Sequence, residues 1–294
     1  MGPPGLAGRP FLGQSGDVSP QSVASVLTRA DAAGSLPTLG GMARPDGVVI
    51  VSERFWAFAT TGGALREGEM PVPTGFLRRV PLLRGLVKLA SALSPLLRTD
   101  GVARTRERWL LGVAVIATFG LVLLPQLVAS VGEVALTAVL LGWMLRGRTL
   151  FLHGAEHRAI SAAEQRHLSE TWHGYAHPSR FAARCGTNFA ALVLPVAAAL
   201  NHLSPRSAAA YAPIVAVLLA LALTMELWRL IQQGGSWTRP LLFPGLALQR
   251  LTTREPRLDE TRVALIALAS VVRREFEVAI DARMVSAARQ ESAA

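Results

Sequence analysis

Charge is scarce in this chain. Acidic and basic side chains make up only 17% of the 294 residues, and the mean hydropathy is +0.35, well below the charged fraction of an ordinary soluble domain. A membrane protein is the first expectation. Lysine is all but missing, Lys88 being the sole example among 30 basic residues that face 20 acidic ones, so arginine carries the net charge of +10. A basic balance suits nucleic acid or anionic lipid. The apolar content selects lipid, and no nucleic-acid partner is expected. Cys185 is the only cysteine, which excludes an intrachain disulfide and an all-cysteine metal cage. No phosphate-cradling glycine loop, dinucleotide fingerprint or Gly-x-Ser-x-Gly elbow occurs, so nucleotide-driven chemistry has no support. Met1 to Gly16 lacks the apolar core of a cleaved signal peptide, and Leu6 stands where N-myristoylation prefers Ser or Thr.

Residues 1–38 are rich in Gly, Pro, Ala and Ser without an apolar period, and are expected to form a disordered arm. Residues 39–108 are read as a cytoplasmic unit. Val48–Val51 and Phe55–Thr60 are β-prone and a Gly62-Gly63 turn follows, which predicts a small hairpin or three-stranded unit. Phe76–Arg98 carries Arg78, Arg79, Arg84 and Lys88 among leucines and valines, the pattern of a basic amphipathic segment on anionic headgroups. A broken helix packed on the hairpin is the alternative, given Pro81, Gly85 and Pro95.

Trp109–Gly132, Cys185–Pro205 and Ser207–Met225 contain no charged residue, and each approaches the roughly 20 residues that span hydrocarbon. A fourth span over Val134–Leu152 requires Arg146 and Arg148 to snorkel. With four spans, nearly all arginine falls on one side, which the positive-inside rule makes cytoplasmic. The expected architecture is therefore an all-α polytopic membrane protein. Residues 109–226 form its four-helix transmembrane domain, 153–184 a cytoplasmic His-rich loop, and 227–294 a cytoplasmic helical C-terminal region. Both termini are expected on the cytoplasmic side of the cell membrane. From Arg257 onward charge is balanced, with Leu265, Leu268, Val272, Phe276 and Ile280 on one helical stripe, so this tail is expected to dock on protein.

Five of the six histidines, His153, His157, His167, His173 and His177, fall within residues 153–177. His153-Gly154-Ala155-Glu156-His157 reads His-x-x-Glu-His, the inverted-zincin order in which two histidines bind zinc and the glutamate acts on water. On a helix His157 lies about 40° and Glu164 about 20° from His153. The predicted site has Glu156 as catalytic base, His153, His157 and Glu164 as ligands, and Glu226 as a remote ligand. The cofactor is a divalent metal, zinc first, whose open coordination position serves catalysis. Histidines that only cap or snorkel at a membrane boundary are the structural alternative. Glu164-x-x-His167 and Glu170-x-x-His173 also have di-iron spacing, but too few other carboxylates accompany them. Cys185 reads either as a ligand or nucleophile, or as a packed boundary thiol.

These residues resemble the YqhQ-like bacterial membrane proteins. The matching strings are Gly40-Gly41-Met42-Ala43, Pro81-Leu82-Leu83-Arg84-Gly85, His153-Gly154-Ala155-Glu156-His157-Arg158, Arg184-Cys185-Gly186-Thr187, and Pro244-Gly245 with Gln249-Arg250-Leu251-Thr252-Thr253-Arg254-Glu255-Pro256. The resemblance implies a metal-dependent membrane protein of unknown function, points again to Cys185, and adds Arg184, Arg250 and Glu255 to the candidates. In the family a His-Pro directly precedes Arg-Cys-Gly-Thr. Here five residues part His177-Pro178 from Arg184, so His177 stays an open candidate.

The leading functional expectation is a metal-dependent hydrolase at the cytoplasmic membrane face. Its alternatives are a non-catalytic assembly or regulatory factor, with a structural metal or a helix-tying histidine cluster, and a transporter. Expected partners are the bilayer and its anionic lipids. The sequence leaves substrate open and is compatible with an oligomer.

Overall fold

The computed structural model describes residues 19–71, 76, 79–121, 124–203, 212–233 and 236–291. The elements in chain order are α1 (Pro20–Ala32), β1 (Gly40–Arg44), β2 (Gly47–Val51), β3 (Phe55–Thr60), β4 (Leu65–Glu69), α2 (Leu83–Leu97), α3 (Thr105–Leu121), α4 (Gln126–Met144), α5 (Thr149–Gln165), α6 (Leu168–His173), α7 (Gly186–Leu203), α8 (Ala212–Gln233), α9 (Phe243–Thr252) and α10 (Leu258–Glu291). A 3-10 turn, Ser236–Leu242, leads into α9.

The four strands form an antiparallel meander in chain order, with Val49 opposite Phe58 and Val51 opposite Trp56. Side chains alternate across it. Val48, Ile50, Phe55, Ala57 and Ala59 join the main core, while Val49, Trp56 and Phe58 form a second cluster with Met70 and Val102 on the other face. Both faces being covered, β2 reads as an unbroken apolar run. The edge strands β1 (GGMAR) and β4 (LREGE) carry little β signal.

The main core joins the sheet to α1, α5, α6 and α10. Leu152, Ala155 and Ala159 of α5 meet Leu265, Leu268 and Val272 of α10, all buried. Each leucine removed from water in this way contributes on the order of 2 kcal/mol. The neutral C-terminal segment is thus no tail but a central helix, and its docking on protein matches its balanced charge.

Several expectations are corrected here. Part of the expected arm, residues 20–32, is helix α1: Ser19 caps it by accepting the Ser22 N–H at 3.2 Å, and Val23, Leu27 and Ala30 are buried. Residues 1–18 lie outside the described residues. Of the expected His-rich loop, residues 153–165 belong to helix α5, embedded in the core, and Leu168–His173 form α6. The expected hairpin or three-stranded unit is a four-stranded sheet, and the four-span architecture is overturned by the helices themselves. Among the described residues only one helix, Ile214–Gln233 within α8, is long and apolar enough to cross, with mean hydropathy 2.1. Trp109–Gly132 is divided by Leu124-Pro125 between α3 and α4, because proline cannot continue the ladder of α3. Val134–Leu152 is broken between Met144 and Thr149, where Gly147 takes φ of 63°. Arg148 does not snorkel. Its guanidinium pairs with Asp259 at 3.1 Å and Glu260 at 2.9 Å on α10.

Phe76–Arg98 contains α2, which packs along α8 so closely that a Cβ on Gly85 would lie 2.6 Å from the Met225 Cβ. Arg84 Nε donates to Glu226 at 2.7 Å and holds the two helices in register. Residues 77 and 78 of that segment lie outside the described residues.

Candidate metal centre

Helix α5 presents His153 and His157 one turn apart, their ring centroids 4.4 Å from each other. His153 Nδ1 lies 2.9 Å from the carbonyl oxygen of Thr252, and His157 Nδ1 lies 2.7 Å from that of Arg180. A carbonyl only accepts, so each Nδ1 carries the proton and each Nε2 keeps its lone pair, the tautomer and restraint common to metal-ligating imidazoles. His153 Nε2 is 3.4 Å from Cys185 Sγ. His157 Nε2 is buried and has no hydrogen-bond partner. The two imidazoles and the thiol place one donor atom each within 4.8 Å of one another. Two nitrogens and one sulfur suit zinc and other borderline-soft cations. The orphaned Nε2 fits the same reading, since an unpartnered buried polar atom is costly.

Burial sets the protonation states. His157 is 1%, Glu156 5% and Cys185 8% exposed. Desolvation, with His153 nearby, lowers His157 to about 3, and desolvation lowers His153 as well. Desolvation, with the Glu156 carboxyl adding to it, lifts the Cys185 thiol to about 11, and burial lifts Glu156 to about 8. Without a cation all four groups are uncharged at pH 7. A dication inverts that preference at the thiol, which must lose its proton to ligate. Glu156 lies against β1: a Cβ on Gly41 would fall 2.8 Å from its Cγ.

Polar contacts hold the loop before α7 in place. Gln249 of α9, wholly buried, donates through Nε2 to the Ala182 carbonyl at 2.8 Å and to Asn188 Oδ1 at 3.1 Å, and accepts from the Ala182 N–H at 2.9 Å. Asn188 Nδ2 donates to the carbonyls of Ala182 and Ala183. Position 245 must be glycine for this clamp, as a Cβ there would stand 2.4 Å from the Asn188 Cα. On the other side, Arg254 N–H donates to the Leu150 carbonyl at 2.9 Å. Gly154 lets the Thr252–Pro256 segment close on α5, since a Cβ would reach to 2.1 Å from the Arg254 oxygen. Arg158 is buried and is satisfied by the carbonyls of Pro178 and Pro256 and by Glu255.

The predicted site residues therefore separate. His153 and His157 come together, and Cys185 joins them from 28 residues further along the chain, while Glu156, beside His157 in the chain, has its side chain against Gly41 of β1. Glu164 is exposed and pairs with Arg184 at 3.2 Å. Glu226 is committed to Arg84 on α2. His177 is exposed and lines a cavity of about 100 Å³ with Arg158 and Glu255. Arg250 is exposed at the end of α9. His167 pairs with Glu170 at 3.0 Å away from the cluster. Sequence reasoning did not single out Asn188 or the backbone carbonyls of Arg180 and Thr252. For the carbonyls no side-chain signal exists.

A family model described as "Protein of unknown function (DUF1385)" matches residues 113–274, a stretch that contains the whole histidine–cysteine cluster. The chain belongs to this family. The uncharacterized protein YqhQ of Bacillus subtilis (strain 168) is 31% identical over 133 residues, covering 44% of this chain. The match spans 42% of that relative's length. No solved structure matches. The DUF1385 region runs from α3 into α10 and leaves the β-sheet outside it.

Proposed function

We propose that the protein is a membrane-associated, metal-dependent enzyme in which His153, His157 and Cys185 hold one divalent cation of the zinc class and Glu156 is the neighbouring acid–base group. The observation that carries this reading is the buried, partnerless Nε2 of His157 grouped with two further soft donors. When bound, such an ion polarises a carbonyl or phosphoryl oxygen as a Lewis acid, the chemistry of metallohydrolases. The Thr252 and Arg180 carbonyls orient the imidazoles, and the loss of the Cys185 proton gives a thiolate that offsets part of the cation's charge. Glu156 sits in a dry environment where its proton affinity matches neutral pH, the condition for efficient proton transfer.

A second reading is a structural ion that ties α5 to the loop preceding α7. The near-complete burial of His157 and Cys185 favours it, because structural zinc sites are closed. The two readings part at Glu156. Under the catalytic reading Glu156→Gln keeps stoichiometric metal and the wild-type melting temperature but fails to complement a deletion strain, whereas His157→Ala loses the metal too. Full complementation by Glu156→Gln leaves the structural reading.

Location at the bacterial cytoplasmic membrane, with the arginine-rich side inward, belongs to the same proposal. Its support is α8, together with exposed Ile116, Leu127, Val134 and Val139 on α3 and α4, an apolar surface too extensive to leave in water. Recovery of the protein in the soluble fraction after cell lysis contradicts it. Anionic lipids are the expected contact for the exposed Arg79 and Lys88 at α2, Arg84 being taken up by Glu226.

A further inference from the structure

Helix α9 connects the metal centre to the end of α8. Leu242 and Leu246 pack with Leu192 of α7 and Ile231 of α8, and Ile231 lies near the end of the apolar stretch that finishes at Gln233. The opposite side of α9 is uncovered, with Phe243 72% and Leu251 66% exposed. Arg250 shares that side, since Phe243, Ala247, Arg250 and Leu251 fall within about 100° on a helical wheel. Arg254 folds back over the last turn, its Nη1 donating to the Arg250 carbonyl at 3.5 Å. Neither guanidinium has an ion pair among the described residues. Thr252, the last residue of α9, holds His153, and His153 is the one donor of the three that is not fully buried.

Two arginines without an ion pair among the described residues thus stand within two residues of Thr252, whose carbonyl holds the accessible ligand His153, at the end of the exposed apolar side of α9. We propose, resting on the metal reading above, that the centre takes an anionic amphiphile as its substrate class: an acyl chain lies along Phe243 and Leu251, and Arg250 and Arg254 receive an anionic headgroup next to His153. The bilayer supplies this amphiphile. Charge complementarity and the continuity of α9 with the end of α8 select an anionic lipid over a water-soluble anion.

The test uses the full chain in neutral detergent, loaded with Co(II), whose visible bands and thiolate charge-transfer band report on the centre. Short-chain phosphatidylglycerol is expected to shift the visible bands saturably. Phosphatidylcholine acts only at higher concentration, and inorganic phosphate leaves the bands in place. The double variant Arg250→Gln, Arg254→Gln is expected to raise the phosphatidylglycerol half-saturation about thirty-fold, the loss carried by two surface arginines, with its lipid-free cobalt spectrum as the folding control. A normal cobalt spectrum that phosphatidylglycerol does not move overturns this inference and leaves the metal reading standing. Equal shifts by phosphate or by phosphatidylcholine also overturn it, the first assigning the site to a free anion and the second removing the role of charge. Absence of a cobalt spectrum overturns the metal reading, and this inference falls with it.

Discussion

Helices α5 and α8 differ in who covers them. Helix α5 carries a glutamate, two histidines and an arginine in its middle, yet it is enclosed from Leu152 to Ala163 by α10, β1 and β2 with few breaks. Both histidines meet a backbone carbonyl and the donor cluster, and Arg158 meets two carbonyls and a carboxylate. Helix α8 is apolar almost throughout and only 22% buried over its apolar window. Small residues such as Ala220 and Ala222 are covered, while Val215, Leu218 and Leu230 face outward. Hydropathy measures how much apolar surface a helix owns, whereas partners decide whether a polar residue can be taken inside.

The largest expected effect tests the closeness of packing around α5. Gly154→Val drives a side chain into the Arg254 carbonyl and is expected to cost more than about 4 kcal/mol, leaving little folded protein in a thermal melt. A melting temperature near wild type would mean that the Thr252–Pro256 segment does not lie on α5.

A pair of truncations then sets the two regions side by side. Leu268→Ala, in the fully buried core beside α5, is expected to cost about 2–5 kcal/mol in denaturant unfolding in neutral detergent. Ile116→Ala, on the exposed face of α3, is expected to change stability by less than about 0.5 kcal/mol. Equal losses would mean that α3 is packed as closely as the core beside α5.

The smallest effect concerns pH. Burial acts to raise the Asp259 carboxyl, but the hydrogen bond from Arg148, with backbone contacts, leaves it below its usual value of 3.8. A depressed carboxylate stabilises the fold above its unfolded pKa, and that stability fades as pH falls through the folded one. Asp259→Asn is therefore expected to flatten the loss of stability below about pH 4 while changing little at pH 7. As the pair is largely exposed, the change at neutral pH stays under about 1 kcal/mol. A steeper acid loss in the variant would contradict the sign.

The sequence made β2 and β3 legible because both faces of the sheet are covered, and it hid β1 and β4 because glycine and charge dominate their strings. It exposed His153, Glu156 and His157 because four residues make one helical turn. It misplaced Glu164 for a physical reason: a helical wheel records angle and omits rise, and eleven residues advance about 16 Å along the axis. Glu226 misled because a carboxylate beside an apolar run reads as a ligand until its arginine, on α2, is known. Cys185 reaches the histidines only through the fold, and the Gln249–Asn188 clamp that seats its loop has no signature at the level of spacing.

The most direct test of the account is the metal content of the purified full chain, measured beside that of His157→Ala and Glu164→Gln. One equivalent of a zinc-class cation in the wild type, none in His157→Ala and one in Glu164→Gln is the expected result. Wild-type protein without metal, or loss of the metal in Glu164→Gln, would contradict the His153–His157–Cys185 centre.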